Sequence, residues 1–214
     1  MSRSSQPTVV LLVRHGTTST TGKVLPGRAP GLHLAETGQA QARRAADRIA
    51  LLGPDRIAAV YASPLERTRE TAAPIARAAG RRVRKNPGLM ECDFGDWTGR
   101  RLTALRKVSA WSQVQRHPSG FRFPGGESFA EMQQRIVGAL QDLATNHAGE
   151  TVVAVSHADP IKAAVAWAGG THLDLFQRFV ISPCSITALV IAESGPTVLA
   201  VNSTGDDLRT LAPS

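Results

Sequence analysis

The chain is poor in cysteine. It has two, Cys92 and Cys184, and neither lies in a CxxC or Cys/His ligand spacing. That pattern speaks against a disulfide framework and against a zinc site, so no metal is expected. Aromatic residues make up only 5% of the chain, and none interleaves with a basic run. A surface that stacks nucleic-acid bases needs such interleaving, so no nucleic-acid partner is expected. No apolar run approaches the ~20 residues that cross a bilayer. The polar start, residues 1–6, leads into a run too short for the core of a signal peptide. The expected setting is therefore the reducing cytoplasm, with no membrane partner. Acids are also few: 17 Asp and Glu stand against 25 Lys and Arg, a net charge of +8. That balance favours anionic partners, although a solvated basic surface is the better explanation of the charge itself.

What the chain does have suits one globular domain with its own core: 214 residues, 42% of them hydrophobic. Val9, Val10, Leu11, Leu12 and Val13 form an unbroken apolar run, the mark of a strand buried on both faces as in a parallel sheet. Arg14, His15 and Gly16 follow at once. Two more apolar strands end in the same way. Residues 57–62 lead into Ser63-Pro64-Leu65-Glu66-Arg67, and residues 151–155 lead into Ser156-His157. A short strand is expected at 83–85, and further strands at 186–192 and 198–201. Helical patterns cover 36–52, 102–115, 128–147 and a stretch from Pro160 to Trp167. Ser63 is expected to cap a further helix, with Pro64 at its first position and Glu66 completing a capping box. This alternation, with strands buried on both faces, specifies an α/β fold with a mostly parallel sheet.

Open α/β sheets bind ligands just beyond the carboxyl ends of their strands. Each strand-end motif alone reads as an ordinary polar turn. Three at one sheet edge bring two arginines and two histidines together. Arg14 and Arg67 are fixed cationic forks suited to a phosphate. One histidine could attack phosphorus and the other donate hydrogen bonds to the transferring group. The cationic side chains neutralise charge, so no cofactor is expected. A carboxylic acid must protonate the leaving alcohol, and Glu91, beside Phe94 and Trp97, has the setting for a raised proton affinity.

These motifs, in this order, resemble the histidine phosphatase superfamily, also called phosphoglycerate mutase-like. The matching stretches are Arg14-His15-Gly16, Gly27, Leu34-x-x-Thr37-Gly38-x-x-Gln41-Ala42, Ser63-Pro64-Leu65-x-Arg67-Thr68-x-Glu70-Thr71, Glu91-x-x-Phe94-Gly95-x-Trp97-x-Gly99, Pro124-x-Gly126-Glu127-Ser128 and Ser156-His157. Asp96-Trp97-Thr98-Gly99-Arg100 and His157-Ala158-Asp159-Pro160 narrow the resemblance to an actinobacterial phosphomutase-like group. The resemblance implies a three-layer αβα sandwich around the mostly parallel sheet, with His15 as phosphorylated nucleophile and Arg14, Arg67 and His157 as the phosphate pocket. It implies Glu91 as proton donor, with Asp159 as the rival, and extends the substrate site to Gly16, Thr18, Thr21, Gly27 and Ala158.

Two departures bear on the reaction. Thr21 stands where the family often has Asn. The run Glu91-Cys92-Asp93-Phe94-Gly95 lacks the Arg and Tyr that follow the acid in glycolytic mutases. Hydrolysis of a small phosphomonoester is thus the first expectation. A phosphomutase and a non-catalytic phospho-ligand binder on the same fold are the alternatives. The chain is expected to form a single domain over 1–214, with 97–128 as a lid and 204–214 as a loose tail. Homodimer formation is left open. His33, His117, His147 and His172 are expected at surface, capping or lid positions, and Trp97 and Trp111 within the lid. Arg100 and Arg101 are expected as an exposed pair, and Glu127 and Ser128 as caps of the helix they precede.

Overall fold

The computed structural model describes residues 6–205. The expected loose tail therefore falls, from 206 on, outside the described residues. Six strands form one sheet in the order β3-β2-β4-β1-β5-β6. They are β1 (Thr8–Arg14), β2 (Ile57–Ala62), β3 (Val83–Lys85), β4 (Thr151–Ser156), β5 (Ile186–Ala192) and β6 (Gly195–Ser203). The pairs β1/β4, β4/β2 and β2/β3 run parallel, while β5 and β6 add an antiparallel edge.

The apolar runs are continuous because both sheet faces are covered. In β1, Val10 and Leu12 point to one core and Leu11 and Val13 to the other, as the two-residue repeat of a strand requires. Helices α1 (Glu36–Ala50) and α2 (Glu66–Ala78) cover one face. Helices α5 (Phe129–Asn146) and α6 (Ala158–Ala168) cover the other, with the short α3 (Leu102–Leu105) and α4 (Trp111–Arg116) in the segment before α5. Among the described residues, no helix is long and apolar enough to cross a membrane.

Strand β4 slots between β1 and β2. The carboxyl ends of the three motif-bearing strands therefore lie side by side. The turn after β1 is seated tightly on α1: a Cβ on Gly16 would stand 2.6 Å from Gly38 O, and one on Gly38 would stand 2.1 Å from Thr17 O. Only glycine permits that backbone approach. Gln41 Oε1 accepts from Thr17 N at 2.9 Å and fixes the same turn.

Three local expectations need correction. Ser63 does not cap α2; Leu65 is its N-cap residue, with no side-chain cap. The Ser63 hydroxyl is taken instead by the site described below. The helix expected over 102–115 is split into α3 and α4 by turns, Val108 N bonding Leu105 O and Trp111 N bonding Val108 O. The break lets Leu105 and Val114 reach one core and stacks Trp111 on Trp97 at 6.2 Å, so packing overrides the local helical pattern. Ser128 caps α5 in a capping box with Glu131, but Glu127 does not cap. Its carboxylate is held by arginines.

Candidate active site

His15 leaves the end of β1 with only 6% of its surface exposed. Its Nδ1 lies 2.8 Å from its neighbour's carbonyl, Gly16 O. A carbonyl only accepts, so Nδ1 carries the proton and Nε2 keeps its lone pair. Burial, reinforced by Arg67 and Arg14, holds the proton affinity of His15 well below the usual imidazole value. The ring is thus neutral and nucleophilic.

Arg67 is fully buried on the first turn of α2. Its Nη2 donates to Gly27 O at 2.8 Å and to His157 Nδ1 at 3.2 Å. His157, just after β4, stands edge-on to His15 with ring centroids 5.2 Å apart. Because Arg67 has only donors, His157 Nδ1 accepts, and its Nε2–H donates to Ser63 Oγ at 2.9 Å. Burial, then Arg67 and His15, keep His157 neutral as well. Arg14 donates through Nη1 to Ile181 O at 2.6 Å. Its Nε, with Arg67 Nε and Nη1, is buried and has no partner among the described residues. Buried guanidinium N–H groups without partners are costly unless an anion meets them.

Glu91 completes the cluster. It is buried, with Oε2 3.9 Å from His157 Nδ1 and Oε1 accepting from Cys92 N at 3.0 Å. Burial first, and Asp159 second, raise its carboxyl to about 7. That suits a group that gives up and takes back a proton near neutrality. Asp159 sits on α6 with Oδ1 3.4 Å from Lys162 Nζ.

A cavity of about 580 Å³ opens above these groups. Arg14, His15, Glu91, Thr18, Thr21, Ala158 and Asp159 line it, and Leu102, Arg106, Trp111 and Val114 form an outer wall. Thr21 Oγ1 accepts from Thr18 N at 2.9 Å and lies 3.0 Å from Thr18 Oγ1. Arg67 and His157, fully buried, are not among the residues that line it. Gly16 and Gly27 enter through backbone: Gly16 O holds His15, and Gly27 O holds Arg67. A second groove of about 570 Å³, at the opposite end of β1, contains Trp167, Glu193 and Pro196 but no histidine, cysteine or arginine. Among the described residues, no group of three or more His, Cys, Asp or Glu is placed to hold a metal ion.

The other histidines are engaged elsewhere. His33 pairs with Glu70, and His117 and His172 lie near Asp174. His147 sits between Tyr61 and Glu150. Arg100 and Arg101 are not among the cavity residues.

Sequence reasoning missed several contributors. Ser63 read as a helix cap. Thr71 joins two parts of the site: its Oγ1 accepts from Gly16 N at 3.0 Å and donates to Arg67 O at 2.8 Å. Arg28, Glu127 and Arg135 form an ion cluster behind Glu91. The acid in the Pro-Gly-Gly-Glu-Ser run was the only visible trace of that cluster.

Two arginines with unpartnered N–H groups, a neutral imidazole with a free nitrogen and a protonatable buried acid are groups that can bind an anion, attack an electrophile and move a proton. The chain belongs to the histidine phosphatase superfamily (branch 1), whose model matches residues 10–204. It is 40% identical over 161 residues to the Mycobacterium tuberculosis protein Rv0525, covering 73% of this chain and 76% of that one. It is 31% identical over 191 residues to phosphoserine phosphatase 1 of Hydrogenobacter thermophilus, covering 83% of this chain and 85% of the relative. The solved structure of Bacillus stearothermophilus YhfR superposes with a TM-score of 0.83 at 27% identity, covering 92% of this chain and 97% of that one.

Proposed function

We propose that the chain hydrolyses a small phosphomonoester, without a metal ion, through a phosphohistidine on His15. The observation that carries the reading is the neutral His15, with Nε2 free, beside three buried guanidinium nitrogens that lack partners. A dianionic phosphoryl group meets those donors, and Arg14 and Arg67 disperse its charge in place of a metal.

In the first step Nε2 of His15 attacks phosphorus. The bond to the alcohol oxygen breaks, and protonated Glu91 gives its proton to that oxygen. In the second step water attacks the phosphohistidine. The Glu91 carboxylate takes the water proton, the P–N bond breaks, and its electron pair returns to Nε2. His157 donates to the transferring oxygens once Arg67 Nη2 has turned from Nδ1 to the phosphoryl group and Nδ1 carries a proton. Its neutral form can switch tautomer because Ser63 Oγ can either accept from Nε2 or donate to it.

The alcohol half of the substrate lies in the 580 Å³ cavity. Segment 97–128 is its lid, supplying Leu102, Arg106, Trp111, Val114 and Phe123 to the wall. Thr18, Thr21 and Ala158 contact the bound ester. Phosphoserine is one substrate to try, given the relative from Hydrogenobacter. Two free buried thiols, Cys92 and Cys184, suit a reducing cytoplasm.

The test is phosphate release from a panel of phosphorylated metabolites and an aryl phosphate, with chelator present. Wild type should release phosphate and His15→Ala should not. Turnover that survives in His15→Ala, or that disappears with chelator, would contradict the reading.

A further inference from the structure

We propose that Arg135 and Arg28 are positioning residues for the proton-donating Glu91, and that Arg28 couples that donor to the phosphate-binding Arg67. The proposal rests on the role given to Glu91 above.

Residues 90–94 belong to no helix or strand. No backbone ladder therefore fixes Glu91 itself; backbone bonds hold only its flanks, Met90 N to Pro87 O and Glu127 N to Asp93 O, and side chains hold its carbonyl. Arg135, on α5, spends every guanidinium N–H here. Nη1 donates to Gly88 O at 2.9 Å and to Met90 O at 2.8 Å. Nη2 donates to Glu91 O at 3.3 Å. Its fork is aimed by Glu127, with Nε to Oε1 and Nη2 to Oε2 both at 2.8 Å. One side chain thus gathers three carbonyls of the segment that ends at Glu91. A lysine has neither the planar fork nor the number of fixed donors.

Arg28 shares two of these acceptors with Arg135. Its Nε donates to Glu91 O at 2.9 Å, and its Nη2 to Glu127 Oε2 at 3.0 Å. Glu127 Oε2 also accepts from Asp93 N at 3.2 Å, which pins the chain after Glu91. Arg28 is bonded directly to Gly27, whose carbonyl holds Arg67 Nη2 at 2.8 Å. The same short stretch of chain therefore sets the acid and the phosphate clamp. The cluster is shielded: Glu127 and Arg135 side chains are 13% and 21% exposed. Misplacing a reacting group by ~1 Å can cost about 10²-fold in rate, so a device of this kind has a kinetic signature.

That signature is dependence on the leaving group. A proton donor matters for an alkyl phosphate and little for 4-nitrophenyl phosphate, whose leaving group needs no proton. The experiment compares kcat/KM on both substrates, and the Ki of inorganic phosphate, in Arg135→Ala, Arg135→Lys, Arg28→Ala and Glu91→Gln, with Tm measured for each. Both Arg135 variants should lose about tenfold more on the alkyl than on the aryl ester, a part of the roughly 10²–10⁴ that a general acid supplies. Their phosphate Ki should not move. Added guanidinium should restore part of the alkyl activity in Arg135→Ala but not in Arg135→Lys. Arg28→Ala should show the same selectivity together with a weaker Ki, by about tenfold. Equal losses on both substrates alongside a lower Tm would reduce the cluster to a structural brace. An unchanged Ki in Arg28→Ala would remove the coupling to Arg67. Should Glu91→Gln show no selectivity either, the donor role of Glu91 itself is wrong. Selectivity in Glu91→Gln alone refutes only the positioning proposal. If Arg135→Ala fails to fold, Arg135→Lys decides.

Discussion

Glu91→Gln replaces a buried carboxyl with a neutral group of nearly the same shape. In the fold that carboxyl titrates at about 7, against 4.5 for the free side chain, because burial and the charge of Asp159 oppose ionisation. At 1.36 kcal/mol per unit, the difference of about 2.5 units corresponds to ~3 kcal/mol. Below pH 4.5 the carboxyl is protonated in folded and unfolded chains alike, and the stabilising contribution is fully present. As pH rises from 4.5 through 7 the unfolded chain releases the proton first, so stability falls, and above 7 the loss is complete. Glutamine does not titrate, and its Oε1 can still accept from Cys92 N. Wild type and variant should therefore be matched near pH 4.5. By pH 8 the variant should be the more stable by about 3 kcal/mol, roughly 6–12 °C in Tm for a chain of this size. It should at the same time lose about 10²–10⁴ in turnover of alkyl phosphates, the contribution of a general acid. Thermal unfolding of both proteins at pH 4.5 and pH 8, with turnover on the same preparations, checks both halves. A Tm difference that does not change with pH would refute the reasoning about the buried carboxyl.

Three further outcomes follow from named contacts. Ser63→Ala leaves His157 Nε2 without its 2.9 Å partner. At about 1–3 kcal/mol for an orphaned buried group, kcat/KM should drop about 5- to 150-fold, and Ser63→Thr should recover part of it. Gly38→Ala puts a Cβ 2.1 Å from Thr17 O. It should destabilise the fold by about 1–3 kcal/mol and reduce turnover as the His15 turn is pushed off α1; an unaltered denaturant midpoint would count against that packing. Ser128→Ala removes the capping box of α5. It should cost about 1 kcal/mol, visible as a lower Tm with unchanged kcat.

The parts of the molecule that could be read from sequence are those where one local pattern has one structural solution. The runs at 9–13, 57–62 and 151–155 lie in strands because both sheet faces are covered, and both need apolar side chains. Arg14, His15, Arg67 and His157 meet because β4 inserts between β1 and β2, which brings three strand ends to one edge. Ser63 was misread because its spacing to Glu66 satisfies a capping box locally, while the partner that claims its hydroxyl, His157, lies 94 residues away. The 102–115 pattern was read as one helix because apolar spacing cannot report that Trp111 must stack on Trp97. Arg28 and Arg135 were two arginines among many, since only the fold brings them to Glu91 O. The extent of the cavity likewise depends on residues far apart in the chain, such as Leu102, Trp111, Phe179 and Ile181, that only the fold brings to one wall.

The central claim is that His15 carries the phosphoryl group. The direct measurement uses Glu91→Gln, in which the aryl ester still phosphorylates the enzyme but the base for the second step is missing, so the intermediate accumulates. The variant is mixed with an aryl phosphate bearing labelled phosphorus, quenched in alkali, digested and mapped by mass spectrometry. The account predicts acid-labile, alkali-stable label on the peptide containing His15, and none when His15 is also changed to Ala. Label on another residue, or phosphate release by Glu91→Gln with no labelled histidine at any time point, would contradict it.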